Sequence, residues 1–283
     1  MAKGIYIGVD SKARKVKKAC IGVDGVARKI KKGYIGVGGV ARLFFSGEPE
    51  LSYYRKATDL SVARNSLAGA SVGNYALFAG GRSTLDNKTY NTIDAYNASL
   101  TRSTPTALSK ARYGATGASV GSYALIAGGW NGSSAIFNTV DAYNTSLTRS
   151  TPTVLSVARN SATGASIGDY ALIAGGYDGA NRLSTVDAYN TSLTRSTPTV
   201  LSVARNSMGR ANVGNYVLLA GGYDGTNKYN TVDAYDVSLT RSTPTVLSEA
   251  RNTLAGASVG NYALFAGGYT STYTATVDVY QYA

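Results

Sequence analysis

The sequence predicts an all-β fold, and three observations support this prediction. Glycine and tyrosine are abundant, at 33 and 22 of 283 residues, whereas methionine occurs twice and tryptophan once. This composition is typical of short strands joined by tight turns rather than of helices. Hydrophobic residues make up 44% of the chain, which is enough for a buried core. Finally, a unit of strand-like segments recurs through most of the chain.

The recurring unit is marked by the tripeptide Ala-Gly-Gly at the end of an apolar run. It occurs five times at spacings of 46 to 48 residues, beginning at Ala79, Ala127, Ala174, Ala220 and Ala266. In one copy, turn residues separate four strand-like segments, at 161–167, 170–174, 185–189 and 192–200. Four short strands in a unit of about 40 to 50 residues are typical of a β-propeller blade. The sequence therefore predicts a propeller.

The composition of the strands predicts their order within a blade. The first strand consists of small residues, as in Leu-Ala-Gly-Ala-Ser-Val at 67–72, and small residues fit where blades converge on a central axis. The last strand contains Pro198, which cannot donate a hydrogen bond to a neighbouring strand and therefore favours an outer edge. Each blade is thus predicted to run from the axis outwards.

The unit resembles the kelch repeat over residues 51–283. The resemblance rests on an arginine before the first strand, a glycine pair after the second, and a Val-x-x-Tyr or Ile-x-x-Tyr pattern in the third. The tryptophan that follows this tyrosine in kelch repeats is absent. The glycine pairs are at 80–81, 128–129, 175–176, 221–222 and 267–268, and the tyrosines are Tyr96, Tyr143, Tyr189, Tyr235 and Tyr280.

The number of units predicts a five-bladed, kelch-like propeller over residues 48–283. The fifth unit ends at residue 283, one strand short of a full blade. Residues 51–61 resemble an outer strand that has no blade of its own. Because the two fragments are complementary, we expect this N-terminal strand to complete the last blade and close the ring.

Residues 1–47 contain a second, shorter repeat and are predicted to form a separate β-hairpin module. Each copy pairs an apolar segment, such as Tyr-Ile-Gly-Val at 6–9, with a basic one across a turn, which is typical of hairpins. A ribbon this short buries little apolar surface alone, so we expect it to need a partner. The module resembles the short basic N-terminal repeats of structural proteins from phages and prophages of Gram-positive bacteria.

Positive charge is concentrated in this module. Residues 1–50 carry 11 lysines and arginines against 4 acidic residues, within a chain of formal net charge +12. Binding to nucleic acid is the less favoured interpretation, because no aromatic stacking platform or known nucleic-acid motif accompanies the basic residues. We assign seven of them to anchoring and assembly: Lys15, Lys17, Lys18, Arg28, Lys29, Lys31 and Lys32.

An arginine precedes the first strand of every blade, and two roles are open to it. In a closed propeller the five side chains would surround the channel at one face, where they could bind a carboxylate, a phosphate or an acidic sugar. Alternatively, each would pair with an aspartate of the third strand and lock blade to blade. The arginines are Arg64, Arg112, Arg159, Arg205 and Arg251, and the aspartates are Asp94, Asp141, Asp187, Asp233 and Asp278.

The loops that follow the glycine pairs differ between blades, although the framework repeats almost unchanged. They combine aromatic residues with Asn, Ser, Asp and Gly, a composition typical of binding surfaces. Tolerant surface loops without a ligand are the alternative interpretation. The kelch resemblance implies that these loops share one face with the arginines. Their candidate ligand-binding residues are Arg82, Trp130, Tyr177, Asp178, Tyr223, Asp224 and Tyr269.

The composition also limits the chemistry open to the protein. The chain has no histidine and one cysteine, Cys20, which excludes a Ser-His-Asp triad, a histidine metal site and an intramolecular disulfide. We therefore predict no catalytic residue, no metal and no cofactor. No apolar run has the length of a signal peptide or a membrane span, so we expect synthesis in a bacterial cytoplasm without a standard export signal.

These observations favour a non-enzymatic structural protein of a virion, such as a tail, fibre or head appendage. Its N-terminal module would anchor it to other virion proteins, and its propeller would bind a glycan or a protein on the host surface. We also expect a homo-oligomer. The alternative is an intracellular kelch-type adaptor that binds an acidic peptide through the arginines.

Overall fold

The computed structural model describes residues 54–282 in full and, before them, the backbone of six short strands between residues 6 and 46. The chain divides into two compact units, residues 1–56 and 57–283. The boundary predicted between residues 47 and 48 lies outside the described residues, and so do the side chains of the basic residues assigned to assembly.

The described strands of the first unit form three antiparallel hairpins. They pair β1 (Tyr6–Val9) with β2 (Lys12–Lys15), β3 (Cys20–Val23) with β4 (Val26–Lys29), and β5 (Lys32–Val37) with β6 (Val40–Ser46). The two segments of each short repeat therefore pair with each other.

The second unit contains five antiparallel sheets, which are the blades, and no helix among its described residues. Blade 1 consists of β7 (Ala68–Val72), β8 (Tyr75–Ala79), β9 (Ile93–Asn97) and β10 (Arg102–Ser103). Blade 2 consists of β11 (Thr116–Val120), β12 (Tyr123–Ala127), β13 (Val140–Asn144) and β14 (Arg149–Ser150). Blade 3 consists of β15 (Thr163–Ile167), β16 (Tyr170–Ala174), β17 (Val186–Asn190) and β18 (Arg195–Ser196). Blade 4 consists of β19 (Gly209–Val213), β20 (Tyr216–Ala220), β21 (Val232–Asp236) and β22 (Arg241–Ser242), and blade 5 of β23 (Ala255–Val259), β24 (Tyr262–Ala266) and β25 (Val277–Gln281).

The outer strands are shorter than the sequence predicts. In blade 3 a strand is expected over residues 192–200, but β18 contains only Arg195 and Ser196, which pair with Tyr189 and Ala188. Pro198 follows two residues later, and because it lacks an N–H group it cannot extend the pairing. The outer strand is nevertheless at the edge of the sheet, as the proline predicts.

Hydrophobic side chains of consecutive blades pack at four joints, which we name 1/2, 2/3, 3/4 and 4/5 after the blades they connect. At joint 2/3, Leu125 and Val140 of blade 2 pack with Ile173 and Tyr189 of blade 3, and all four are buried. The Tyr189 hydroxyl donates a hydrogen bond to the carbonyl of Thr153, in the segment that leads into blade 3. The tyrosine of the repeat is therefore a joint residue.

The glycine pair after the second strand brings adjacent blades into contact. Gly128 and Gly129 have φ angles of +67° and +109°, which residues with a side chain rarely adopt. A Cβ atom on Gly128 would lie 2.3 Å from the Arg159 carbonyl oxygen of blade 3, and the Gly129 N–H donates to that oxygen over 2.8 Å. Both the backbone conformation and the neighbouring blade therefore require glycine here.

The first strands of all five blades and the residues before them surround one channel of about 400 Å³. They approach each other closely, since a Cβ atom on Gly117 of β11 would lie 2.0 Å from the carbonyl oxygen of Gly69 on β7. The small residues of the first strands thus lie near the axis, as predicted. Five sheets around one channel confirm the all-β prediction and support a five-bladed propeller.

Blades 5 and 1 do not form a fifth joint within the part of the chain that the structure describes. A Cβ atom on Gly69 of blade 1 or Gly260 of blade 5 would meet nothing within 4 Å. On blade 5, Val259, Val277 and Val279 are 63%, 52% and 56% exposed, although the residues at these positions in blades 2 to 4 are buried. The face of blade 5 that would contact a following blade is therefore uncovered.

The predicted closing strand does not form between residues 54 and 61. Residues 54–60 contain no strand, and β25 is at the edge of its described sheet. Instead, the Thr58 carbonyl accepts a hydrogen bond from Tyr96, and Ser61 donates to Asp94. Thr153 and Ser156 make the same contacts with blade 3, so these contacts belong to the segment that leads into a blade. Because none of residues 54–61 pairs with β25, the prediction of a closing strand is wrong for these residues. Residues 51–53 lie outside the described residues.

Candidate functional site

The five arginines that precede the blades have buried side chains and do not line the surface of the propeller. Each guanidinium contacts the aspartate on the third strand of its own blade. The pairs are Arg64 with Asp94, Arg112 with Asp141, Arg159 with Asp187, Arg205 with Asp233, and Arg251 with Asp278. Of the two roles that the sequence leaves open, this geometry favours the structural one.

Each aspartate of blades 1 to 4 also contacts a second arginine, from the outer strand of the same blade. In blade 3, Asp187 contacts Arg159 through Oδ2 and Arg195 through Oδ1, and it accepts hydrogen bonds from the main chain and hydroxyl of Ser156. Sequence analysis missed these arginines, although each recurs in an identical Ser-Leu-Thr-Arg-Ser-Thr-Pro-Thr segment. They are Arg102, Arg149, Arg195 and Arg241.

Burial and pairing determine the electrostatics of this network. Burial lowers the pKa of Arg159 to about 10, which leaves it protonated at neutral pH. For the Asp94 carboxyl, burial acts to raise the pKa, but hydrogen bonds from Arg64, Ser61 and Arg102 outweigh burial and hold the pKa below its ordinary value. The buried arginine and the aspartate of each blade compensate each other, so this pair contributes little attraction for an acidic ligand.

The arginines do connect neighbouring blades, but through the main chain. Each ion pair joins two parts of one blade, whereas the arginine carbonyl accepts a hydrogen bond from the glycine pair of the preceding blade. These bonds run from Gly81 to Arg112 over 2.9 Å, from Gly129 to Arg159 over 2.8 Å, from Gly176 to Arg205 over 3.1 Å and from Gly222 to Arg251 over 2.9 Å. The ion pair fixes the segment that carries this carbonyl.

The variable loops all begin at the same structural position. The first residue of each loop forms a β-bridge with the residue that follows the blade arginine. The bridged pairs are Arg82 with Asn65, Trp130 with Tyr113, Tyr177 with Asn160, Tyr223 with Asn206, and Tyr269 with Asn252. Five of the predicted ligand-binding residues therefore occupy equivalent positions around the channel.

Side chains of three variable loops contact the following blade. The guanidinium of Arg82 in blade 1 lies 5.6 Å from the ring centre of Tyr113 in blade 2. Arg182 lies 4.1 Å from the ring centre of Tyr177 in blade 3 and 5.8 Å from that of Tyr223 in blade 4. Lys228 of blade 4 lies 4.8 Å from the ring centre of Tyr269 in blade 5. The loops form one continuous surface, which we call the loop face.

The two predicted aspartates of the loop face shape their own loops. Asp178 accepts hydrogen bonds through Oδ1 from the main-chain N–H groups of Ala180 and Asn181, at 2.8 and 2.6 Å. These bonds lower the pKa of Asp178, and the equivalent bonds lower that of Asp224. Asp224 also accepts a hydrogen bond through Oδ2 from the Tyr229 hydroxyl, whereas both bonds to Asp178 are to Oδ1.

A groove of about 850 Å³ lies on the loop face between blades 2 and 3, and we call it the 2/3 groove. It brings together three of the predicted residues, Trp130, Tyr177 and Asp178. Arg82, Tyr223, Asp224 and Tyr269 lie elsewhere on the loop face. Tyr113, Asn160 and Ser161 also line the groove and were not among the predicted residues; the signal that could have identified them is their position one or two residues after a repeated arginine.

Comparison with known proteins supports the class of fold. Residues 111–148 and 158–195 match the kelch motif, and these ranges cover blades 2 and 3 from the arginine through the third strand. The match and the five sheets around one channel together support a kelch-repeat β-propeller, a class that typically mediates protein interactions without catalysis. The chain has no match among curated proteins.

The described residues contain no helix that is long and apolar enough to cross a membrane. They also contain no group of three or more His, Cys, Asp or Glu side chains placed to hold a metal ion.

Proposed function

We propose that this chain is a non-enzymatic structural protein of a virion, part of a tail, fibre or head appendage. Its propeller binds a glycan or a protein on the host surface through the loop face. Residues 1–47 anchor it to other virion proteins, and several copies assemble together. The supporting observation is that the loops, where the five blades differ, form one surface, whereas the residues that recur serve the fold.

The separation between recurring and variable residues supports a binding role for the loops. The recurring arginines, aspartates and tyrosines are used in ion pairs and joints. The first loop residues have no such constraint, yet four of the five are aromatic: Trp130, Tyr177, Tyr223 and Tyr269. Aromatic side chains in surface loops give a large contact area at a low entropic cost, which suits recognition of a partner.

The virion role rests on the resemblance of residues 1–47 to basic repeats of phage structural proteins. The alternative is an intracellular adaptor for an acidic peptide. Such an adaptor could not bind the peptide through the blade arginines, because these are buried in ion pairs. The cations of the loop face, Arg82, Arg182 and Lys228, would have to replace them.

Localisation tests the virion role. We expect the full chain to sediment with phage particles and to be labelled on them by immunogold microscopy. A variant without residues 1–47 should remain folded, as judged by circular dichroism and thermal unfolding, but should no longer sediment with particles. A full chain that stays in the soluble fraction, away from particles, would contradict the proposal.

Binding to cells tests the loop face. Fluorescently labelled protein should bind Gram-positive host cells, and a triple variant with Trp130→Ala, Tyr177→Ala and Tyr223→Ala should bind at least about tenfold more weakly at unchanged thermal stability. Equal binding by the triple variant would remove the loop face from the proposal.

A further inference from the structure

We infer that the 2/3 groove is a binding site for an uncharged saccharide. This inference rests on the proposed binding role of the loop face and names the ligand class for one part of it. It also distinguishes joint 2/3 from the other three joints, because the first loop residue and the wedge residue are both uncharged at joint 2/3 alone.

The joints share one arrangement on the loop face. At each joint a residue of the earlier loop, which we call the wedge residue, forms a β-bridge with the first residue of that loop. The wedge residue also faces the next blade. A Cβ atom on Gly179 of blade 3 would lie 3.2 Å from the side chain of Ile136, and one on Gly225 of blade 4 would lie 3.8 Å from Arg182. The wedge residues of joints 1/2 to 4/5 are Thr89, Ile136, Arg182 and Lys228.

Among the described residues, the first loop residue or the wedge residue is a cation at three joints, and neither is at the fourth. At joint 3/4 the guanidinium of Arg182 lies over the rings of Tyr177 and Tyr223. Lys228 lies over Tyr269 at joint 4/5, and at joint 1/2 Arg82 lies over a ring of the next blade. At joint 2/3 both positions hold uncharged residues, Trp130 and Ile136. No lysine or arginine in the described part of the chain lines the 2/3 groove.

Aromatic rings supply the apolar contact surface of the 2/3 groove. Tyr113, Trp130 and Tyr177 all line it, and the ring centres of Tyr113 and Trp130 are 5.3 Å apart at an interplanar angle of 47°. Such rings present a flat apolar face together with a polar group. A sugar ring has the matching character, because its C–H groups form apolar faces and its hydroxyls project from the edge.

Polar groups beside these rings match the hydroxyls of a sugar. The Asn160 side chain lines the groove; its Oδ1 accepts from Ser161, and its amide group is left to donate. Asp178 Oδ2 is left to accept, because both hydrogen bonds to this carboxylate are to Oδ1. The hydroxyls of Ser133 and Ser134 can do either. The volume of about 850 Å³ is within the usual range for ligand sites, about 300 to 1,000 Å³.

The charges around the groove favour a neutral ligand. Of the residues that the structure describes, Asp178 is the only charged one that lines the groove. Hydrogen bonds to its carboxylate keep it ionised, so an acidic sugar or an acidic peptide would be repelled. A cationic ligand is also disfavoured, because guanidiniums lie over two aromatic walls of the groove: Arg82 is 5.6 Å from the ring centre of Tyr113, and Arg182 is 4.1 Å from that of Tyr177.

Glycan arrays and titration calorimetry test the inference on the full chain. The array carries uncharged oligomers of hexoses and N-acetylhexosamines, acidic glycans and a set of acidic and basic peptides. We expect binding to a neutral oligosaccharide, and the best binder then serves as the calorimetric probe. Because no ion pair forms with the ligand, the dissociation constant should change less than about twofold between low and high salt. Binding of acidic glycans or peptides alone, or no binding of neutral glycans, would overturn the inference.

Three variants locate the site. Trp130→Ala should weaken binding of the probe at least about tenfold. Ile136→Arg reproduces the wedge residue of joint 3/4 and should abolish binding by placing a guanidinium in the groove, with no loss of thermal stability. Tyr273→Ala removes an aromatic residue that is 88% exposed and does not line the groove, and it should bind like the wild type. Unchanged binding in both groove variants would contradict the inference.

The cell-binding experiment separates this inference from the proposed function. If Ile136→Arg binds host cells as the wild type does while the triple loop variant does not, the loop face binds a partner but the 2/3 groove is not the saccharide site. If the triple variant also binds normally, the proposed role of the loop face fails as well.

Discussion

Joint 2/3 and the facing ends of blades 5 and 1 are built from the same sequence elements, but only joint 2/3 is packed in the described structure. At joint 2/3 a Cβ atom on Gly164 would lie 2.4 Å from the Gly117 carbonyl oxygen, and Val140 is 0% exposed. At the ends, a Cβ on Gly69 would meet nothing within 4 Å and Val277 is 52% exposed. A blade therefore carries both halves of a joint, but a joint forms only where the chain brings the halves together.

The comparison implies that equivalent substitutions will have unequal effects. A residue at joints 1/2 to 4/5 contacts two blades, whereas the same residue at the open ends contacts one. Pairs of identical substitutions can therefore measure how much of the stability of the propeller comes from the joints. The glycine and valine pairs also report on the ends, because a joint between blades 5 and 1 in solution would make the two members of those pairs equal.

The largest effect is expected at the buried aspartates. Asp187→Asn should lower the free energy of unfolding by about 3–5 kcal/mol, because it leaves the buried guanidinium of Arg159 without its counter-charge. Asp278→Asn should cost less than half of this, since Asp278 is 17% exposed and its partner Arg251 also contacts Glu249 at 3.2 Å. Urea unfolding followed by tryptophan fluorescence measures both. Equal losses would show that blade 5 is as enclosed as blade 3.

The second largest effect on the free energy of unfolding is expected for glycine substitutions in the first strands. Gly117→Ala should cost about 3 kcal/mol, because its Cβ would lie 2.0 Å from the Gly69 carbonyl oxygen and would force two strands apart. Gly69→Ala should be neutral or slightly stabilising, because its Cβ would meet nothing and alanine restricts the unfolded chain more than glycine does. The same unfolding experiment compares the two. A clear loss for Gly69→Ala would indicate that blade 5 packs on blade 1 in solution.

The sequence predicts the parts of this structure that repeat and fails where they do not. The four segments of a blade, the glycine pairs and the arginine–aspartate pairs are all visible in the repeats, because the same local physics selects them in each copy. The failure of residues 54–61 to complete blade 5 was not predictable in this way. The contacts of Thr58 and Ser61 with blade 1 recur at Thr153 and Ser156 in blade 3, whereas pairing with β25 depends on how closely the two ends of the propeller approach each other.

The candidate site shows the same limit. The loop residues Trp130, Tyr177 and Asp178 are recognisable because they vary within a constant framework. The sequence does not show that these residues converge in one groove. Their convergence depends on which wedge residue each loop places against the next blade. Ile136 and Arg182 occupy equivalent places, yet loops of different length separate them from the first loop residue. Only the bridge pairing in the structure establishes the equivalence.

The third largest effect on the free energy of unfolding is expected for valines that differ in burial. Val186→Ala should cost about 2 kcal/mol, since Val186 is 0% exposed at joint 3/4 and the substitution removes two buried methyl groups. Val277→Ala, at the same position on blade 5, should change the free energy of unfolding by less than about 0.5 kcal/mol because the side chain is 52% exposed. Chemical denaturation measures both free energies of unfolding, and the two variants can be compared if their unfolding free energies depend equally on denaturant concentration. Equal losses of stability would again indicate that the open face of blade 5 is covered in solution.

The smallest effect concerns the joint tyrosines at alkaline pH. Burial raises the pKa of Tyr189, and it raises the pKa of Tyr280 on blade 5 to about 12. A folded-state pKa above the unfolded value of about 10 means that the protein holds these protons more tightly when folded. Stability from this source is complete below about pH 10 and is lost as the pH rises through the folded-state pKa.

Tyrosine-to-phenylalanine variants resolve this contribution by joint. Tyr189→Phe should lose about 1 kcal/mol near neutral pH, because the hydrogen bond to the Thr153 carbonyl is gone, but its stability should fall less steeply than that of the wild type above about pH 10. Tyr280→Phe should reduce the pH dependence of the free energy of unfolding by a smaller amount, because Tyr280 is less buried than Tyr189 and its pKa is raised less. Urea unfolding over a series of alkaline buffers measures both slopes. If the two variants flatten the pH dependence of stability equally, the two tyrosines are equally buried in solution, which requires a strand on the outer edge of β25 like the one that pairs with Tyr189 in blade 3.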